Sequence, residues 1–224
     1  MRFRLIKYLT PILQPMYLRY LSKTRSYSFN GIHVRVWHGV FYPGFIISTK
    51  LFLQFVSRMN IRDKTILELG AGSGVISVFA ARKGAIVTAS DINPLAVNNI
   101  RENAQINKIS ISVVQSDLFE NIPQSEFDYI LIAPPYYPSD PKDFAQMAWF
   151  CGQNFEYFVR LFKQLPKYYH PEIQILMILS EDCNIQKIME IGETNGFKFN
   201  VLLKKKRLGE WNFIYGLSKI DVGH

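Results

Sequence analysis

Thr65-Ile66-Leu67-Glu68-Leu69-Gly70-Ala71-Gly72-Ser73-Gly74-Val75 decides how the rest of this 224-residue chain is read. Ile66, Leu67 and Leu69 make a short buried strand bounded by a turn signal. Gly70, Gly72 and Gly74 follow, two residues apart. Glycine at such points lets the backbone take positive φ, or lets a ligand lie directly against the main chain. Ser73 can cap the helix that begins at Val75 and continues through Ile76, Val78, Phe79 and Ala80. A strand, a glycine loop and a helix in this order hold an adenosine-containing cofactor in doubly wound α/β folds. A glycine-rich turn that binds nothing would have the same pattern, so the neighbouring residues must decide.

Downstream, the helix stops at Gly84, and Ala85–Ser90 is a second strand ending on Asp91. A carboxylate at the tip of the next strand can accept hydrogen bonds from both hydroxyls of a ribose. Asn93-Pro94 opens another helix, with proline tolerated in the first turn. Ile111–Val114 is a third strand, and Asp117 stands just past its end. Phe127–Ile132 is a fourth, running into Ala133-Pro134-Pro135-Tyr136-Tyr137-Pro138. Two prolines after a central strand make a stiff turn, and the tyrosines can stack on a flat substrate or only wedge the loop. Residues 139–153 suggest an ordered loop or short helix, a candidate lid. Ile173–Leu179 is a fifth strand. Phe197–Arg207 and Glu210–Ser218, joined by Leu208-Gly209, predict an antiparallel hairpin closing an otherwise parallel sheet. Lys204-Lys205-Lys206-Arg207 suits an exposed strand end, or a phosphate contact.

Upstream, Ser48 or Thr49 is the expected cap of a helix over Ser48–Val56, and the loop Gly39–Gly44 before it can close over a ligand. Ile32–Trp37 alternates like a strand after the turn at Asn30-Gly31. Residues 1–29 suggest one or two helices broken near Pro11 and Pro15. The expected organisation is a basic helical extension over 1–30 and one domain over 31–224. The charge follows this division. The net charge is +8, yet residues 1–64 hold eleven Lys and Arg against Asp63 alone, which leaves −2 for the remainder. Such asymmetry suits an anionic partner such as RNA, a membrane surface, or packing against the acidic remainder.

Composition excludes several classes. No run of 18 apolar residues occurs, so no transmembrane helix is expected, and the N-terminus lacks the apolar stretch of a cleaved signal. Two cysteines, Cys151 and Cys183, fit a cytoplasmic protein without a disulfide framework. The four histidines are scattered, with no metal-ligand spacing.

Glu68-Leu-Gly-Ala-Gly-Ser-Gly74, Asp91, Ser116-Asp117-Leu118 and Ala133-Pro-Pro-Tyr136, in this order, resemble the class I S-adenosylmethionine (SAM)-dependent methyltransferases. The resemblance covers about residues 31–219. It implies a Rossmann-like, seven-stranded, mostly parallel sheet with an antiparallel last strand and helices on both faces. It further implies that Glu68, Gly70, Ala71, Gly72, Ser73 and Gly74 cradle the methionine and ribose of SAM. Asp91 would hold the ribose hydroxyls, with Ile92 against the adenine, Asp117 and Leu118 flanking the adenine, and Asn93 also among the cofactor-binding residues. Gly39–Gly44 points to the HemK-like and small-ribosomal-RNA methyltransferase subgroup, which modifies a release-factor glutamine or an exocyclic amine of a base. There an Asn/Asp-Pro-Pro-Tyr/Phe motif accepts hydrogen bonds from the target nitrogen, so Ala133, Pro134, Pro135 and Tyr136 are the candidate catalytic residues. Ala133 departs from that motif. A methyl group in place of a carboxamide removes one acceptor, worth roughly 1–3 kcal/mol to a buried N–H. Oxygen, carbon and ring-nitrogen acceptors therefore stay open. The expected activity is methylation of a nitrogen of RNA or protein. A small-molecule methyltransferase and an inactive SAM-binding adaptor are the alternatives.

Overall fold

A computed structural model describes residues 22–220. The expected helices of residues 1–21 lie outside the described residues. From Arg25 onward the expectation of helix fails, because Arg25–Phe29 is a strand, β1, paired antiparallel with β2 at Ile32–Val36. Alternate side chains of β1 are more exposed, as in a strand with one face covered. Asn30 and Gly31 both take positive φ (42° and 83°), the backbone of a tight two-residue hairpin turn. The hairpin therefore crosses the division expected at residue 30.

The remaining elements alternate. They are α1 (Ile47–Val56), β3 (Thr65–Leu69), α2 (Val75–Arg82), β4 (Ile86–Asp91), α3 (Pro94–Ile106), β5 (Ser112–Gln115) and β6 (Tyr129–Ile132). Then follow α4 (Phe144–Met147), α5 (Glu156–Gln164), β7 (Gln174–Ser180), α6 (Ile185–Thr194), β8 (Phe197–Arg207) and β9 (Glu210–Lys219). The seven strands β3–β9 form one sheet in the order β5-β4-β3-β6-β7-β9-β8. All pairings are parallel except those of β9, which runs against both neighbours. From β3 the chain winds outward through β4 and β5, then returns to place β6 on the other side. That reversal opens a crevice beyond the carboxyl ends of β3 and β6, where ligands bind in open α/β sheets.

The sheet is buried on both faces, which is why its central strands are continuously apolar. One core packs Phe158, Leu161, Phe162 and Ile188 from α5 and α6 against Ile130, Ile132, Met177 and Tyr215. The other packs Phe52, Val56, Ile76 and Phe79 from α1 and α2, with Ile32 and Val34 of β2, against Ile66, Leu131, Leu176 and Ile214.

The hairpin is tied on by an asparagine ladder. Asn99, Asn103 and Asn107 lie four residues apart on one face of α3. Their Oδ1 atoms accept from the backbone N–H of Trp37 (3.2 Å), Arg35 (2.8 Å) and His33 (3.1 Å). Their Nδ2 groups donate to the carbonyls of Arg35 and His33. The helix thus stands in for a neighbouring strand along the free edge of β2. Asn103 also donates to the carbonyl of Ser73 at 2.9 Å, linking the hairpin to the glycine loop.

Candidate functional site

A cavity of about 420 Å³ opens at the crevice, and every candidate cofactor-binding and catalytic residue except Gly74 lines it. The cofactor half is built from β3, the glycine loop and β4. Gly70, Gly72 and Gly74 take φ of 67°, 56° and 74°. A Cβ placed on Gly70 would meet nothing within 4 Å, so the space above it is open to a ligand. A Cβ on Gly74 would meet Ile100 Cγ1 at 2.9 Å. Gly74 is therefore required by the packing of α3 behind the loop.

Gly74 is also the N-cap residue of α2, in left-handed conformation and without a side-chain cap. The expectation that Ser73 caps the helix is corrected: Ser73 is buried, and the cap comes from the strand. Glu68 Oε2 accepts the backbone N–H of Ser77 at 2.8 Å and a very short bond from Ser77 Oγ. A carboxylate against the positive end of a helix is well placed electrostatically. Burial nevertheless pushes the Glu68 carboxyl up to about 7, against the lowering effect of the two Ser77 bonds and with a smaller push from Asp91.

Asp91 ends β4. Its carboxylate accepts from Gly72 N–H (2.8 Å) and Asn93 N–H (2.9 Å). Burial raises its pKa despite these bonds. The Ile92 N–H bears on the carboxylate as well, so three of its roughly four acceptor sites are engaged from the backbone. Asn93 is occupied structurally: Oδ1 caps α3 at Leu95 N–H, and Nδ2 donates to the Gly39 carbonyl at 3.0 Å, fastening the Gly39–Gly44 loop. Asp117 Oδ2 pairs with Arg160 at 2.7 Å. Leu118, at φ 50°, is buried in a turn closed by Ser116 Oγ, which donates to its carbonyl. The open floor at Gly70, the remaining acceptor capacity of Asp91 and the buried carboxyl of Glu68 fit a ligand with a ribose and a cationic amino-acid end.

The acceptor half begins at Ala133. The N–H groups of Tyr136 and Tyr137 both donate to the Trp149 carbonyl (3.2 and 3.0 Å), and Cys151 N–H donates to the Tyr137 carbonyl. The segment after α4 is thereby zipped to the proline turn. Tyr136 and Tyr137 rings lie 4.9 Å apart. Burial pushes both phenols well up, so they stay protonated at neutral pH. Phe41 and Trp149, 5.0 Å apart, Met147 and Ile46 complete an apolar, aromatic wall. Ser48 and Thr49 line this wall too, and neither caps α1. The tight turn at Pro43, closed by Ile46 N–H on the Pro43 carbonyl, runs straight into the helix and starts it earlier than those hydroxyls suggest.

Phe41 lies in the Gly39–Gly44 loop expected to close over a ligand, whereas the lining residues Tyr157 and Arg160 have no signal in the sequence. Tyr157 and Arg160 come from α5, and periodicity alone assigns them to a helix face. The half-buried Tyr157 phenol is pushed well up by desolvation and then by the charges of Asp91 and Asp117. Among the described residues no cluster of His, Cys, Asp or Glu could hold a metal ion, and no helix is long and apolar enough to cross a membrane.

A sheet with one reversed strand near its edge and a glycine-floored crevice beside a strand-end aspartate define a class I SAM-dependent methyltransferase. Residues 31–155 match the methyltransferase small domain family, and the chain belongs to it. A Methanocaldococcus jannaschii protein, provisionally named a protein N5-glutamine methyltransferase, is 36% identical over 144 residues, 60% of this chain and 73% of that one. The tRNA1(Val) (adenine(37)-N6)-methyltransferase of Shewanella loihica is 39% identical over 88 residues, 35% of this chain and 36% of its own. The solved Thermus thermophilus 16S rRNA N2 G1207 methyltransferase, in complex with AdoMet and guanosine, superposes with a TM-score of 0.61 at 18% identity, covering 87% of this chain and 50% of that one. The cofactor is S-adenosylmethionine, and the group of relatives is HemK-like.

Proposed function

We propose that this enzyme methylates a nitrogen of RNA or protein that enters over Ala133–Tyr137. One observation carries the proposal: a single cavity runs from the glycine floor to the proline turn, so donor and acceptor can meet inside it. Bound SAM would supply the activated methyl group. In this proposal Gly70, Ala71 and Gly72 cradle the donor, Glu68 faces its cationic end, and the remaining acceptor capacity of Asp91 takes the ribose. Ile92, Asp117 and Leu118 flank the adenine, and Tyr157 closes that side. On the other side Tyr136 and the Phe41–Trp149 wall hold a flat acceptor group. The Pro134 carbonyl receives an N–H of the target, so its lone pair can point along the line of transfer. Alignment of this kind is the main requirement of a displacement at methyl. The apolar wall excludes water that would otherwise solvate the nucleophile.

The test is tritiated-methyl transfer to separated RNA, protein and metabolite fractions of the source cell. Label in RNA or protein that disappears with Asp91→Ala supports the proposal. Label confined to small molecules refutes the macromolecular acceptor, and unchanged SAM binding by Asp91→Ala refutes the donor assignment.

A further inference from the structure

We propose that the tip of the β8–β9 hairpin is an RNA-binding arm standing beside the acceptor mouth; the choice of RNA deepens the functional proposal above and rests on it. Lys204, Lys205, Lys206 and Arg207 end β8, and none of them makes an ion pair among the described residues. Their position follows from the register. Ile178 of the cavity wall pairs with Ile214, and Ile214 with Leu203. The four cations therefore continue beyond the level of the wall, at the cavity end of the sheet. Three strand spacings separate β8 from β6, so the arm stands about 14 Å to the side of the proline turn. Ser180 Oγ ties the Glu210 carboxylate inward, and that carboxylate is close enough to act on the phenols of Tyr136 and Tyr137.

The arm's chemistry favours a nucleic acid over an acidic peptide. Lys204 and Lys206 share a face with their strand partners Phe213 and Trp211. The Lys204 ammonium lies 4.8 Å, and that of Lys206 5.5 Å, from the centre of the Trp211 ring, and Lys204 is 5.6 Å from Phe213. Alternate residues of a strand are about 7 Å apart, so these ammonium groups can follow successive phosphates of an extended strand. A flat indole between them offers a base a stacking platform, and such stacking tolerates any sequence because every base has a π-face. An acidic peptide would use the cations and leave the ring idle. On the opposite face Lys205 and Arg207 extend the positive surface around the tip. The fold provides a built arm with cations, an aromatic platform and a mouth alongside it.

The experiment is fluorescence anisotropy of a labelled, unstructured RNA of about 15 nucleotides with the full chain, from about 50 to 200 mM salt. The exposed triple variant Lys204→Gln/Lys206→Gln/Arg207→Gln should bind at least tenfold more weakly at low salt. Its log–log salt slope should be shallower by about 2, at roughly 0.7 per phosphate contact. Trp211→Ala should weaken binding by about 5- to 100-fold, and Trp211→Phe should recover most of the loss. Calorimetric SAM binding, unchanged in each variant, shows that the crevice is folded. An unaltered slope in the triple variant overturns the proposal. So does a labelled polyglutamate that binds as tightly as RNA while Trp211→Ala leaves RNA binding untouched. RNA binding is read here without methyl transfer. A chain that binds RNA through the arm but methylates only protein keeps this surface and refutes the choice of RNA as acceptor.

Discussion

Replacing Glu68 by Gln should make the cofactor-free protein more stable and its SAM binding worse, and both effects should depend on pH. The carboxyl sits at about 7 in the fold against an ordinary 4.5, chiefly because burial disfavours its charge. Each tenfold change in proton affinity is about 1.4 kcal/mol, so holding Glu68 ionised above pH 7 costs the fold about 3 kcal/mol. The sign follows from linkage. The folded state binds the proton more tightly than the unfolded chain. Stability from this group is therefore greatest below pH 4.5 and is lost as pH rises to about 7. Gln cannot ionise, and its carbonyl can still accept from Ser77 N–H and Oγ. Urea unfolding without SAM should show the variant ahead of wild type by under about 1 kcal/mol near pH 5 and by about 3 kcal/mol near pH 8. A cationic ligand reverses the balance, because it favours the carboxylate. Wild-type SAM affinity should fall about tenfold per pH unit below about 7. The variant should bind about 10- to 100-fold more weakly at neutral pH, with no such dependence, as expected for a lost charged hydrogen bond. Unfolding curves that stay a constant distance apart from pH 5 to 8 would refute the placement of Glu68 as a buried anion poised for a cation.

Four further substitutions probe the site and its supports. Gly70→Ala should cost only about 1–2 kcal/mol for its φ of 67° yet lower SAM affinity at least tenfold in calorimetry, because the added methyl enters the open floor. Gly74→Ala meets Ile100 as well as the backbone penalty and should lower Tm by about 5–10 °C, a loss of roughly 2–3 kcal/mol. Asn103→Ala strips buried partners from Arg35 and Ser73 and should cost about 2–4 kcal/mol, with hydrogen exchange of the Arg35 amide speeding up more than that of core strands. Ala133→Asn restores an acceptor at the proline turn. If the target is an exocyclic amine or amide, kcat/KM should rise by about tenfold or more, and no change would exclude a role for that acceptor.

Period and punctuation in the sequence reveal the sheet almost whole. Gly84 and the Leu208-Gly209 turn mark real element ends, and the closing hairpin lies where alternation places it. What local patterns missed was supplied across the fold. Ser73 looks like a cap because serine is a good one, yet Glu68, nine residues before Ser77, reaches the helix end from the strand. Ser48 and Thr49 mislead similarly, because Pro43 sets the chain turning before they are reached. Arg25–Phe29 is a strand because it pairs with β2, and β2 is held by three asparagines more than 60 residues away. Tyr157 and Arg160 enter the cavity only because α5 folds back beside β5's end. Side chains that act through such long-range contacts leave no trace in spacing.

Ala133 now has a structural meaning. The proline turn keeps its shape without a polar first residue. Pro134 and Pro135 fix their own φ angles, and the Trp149 carbonyl holds both tyrosine amides. Ala133 itself packs toward the core that contains Leu176 and Ile178. Shape and hydrogen-bonding capacity are therefore separable at this position. The turn can present a carbonyl and an aromatic face to a flat acceptor while giving up one acceptor for its N–H. The lost interaction moves discrimination away from the reacting atom. A chain that recognises its target less through the reacting group must recognise it through what surrounds that group. The cations and the tryptophan of the β8–β9 arm, level with the mouth and about 14 Å aside, are placed to do so.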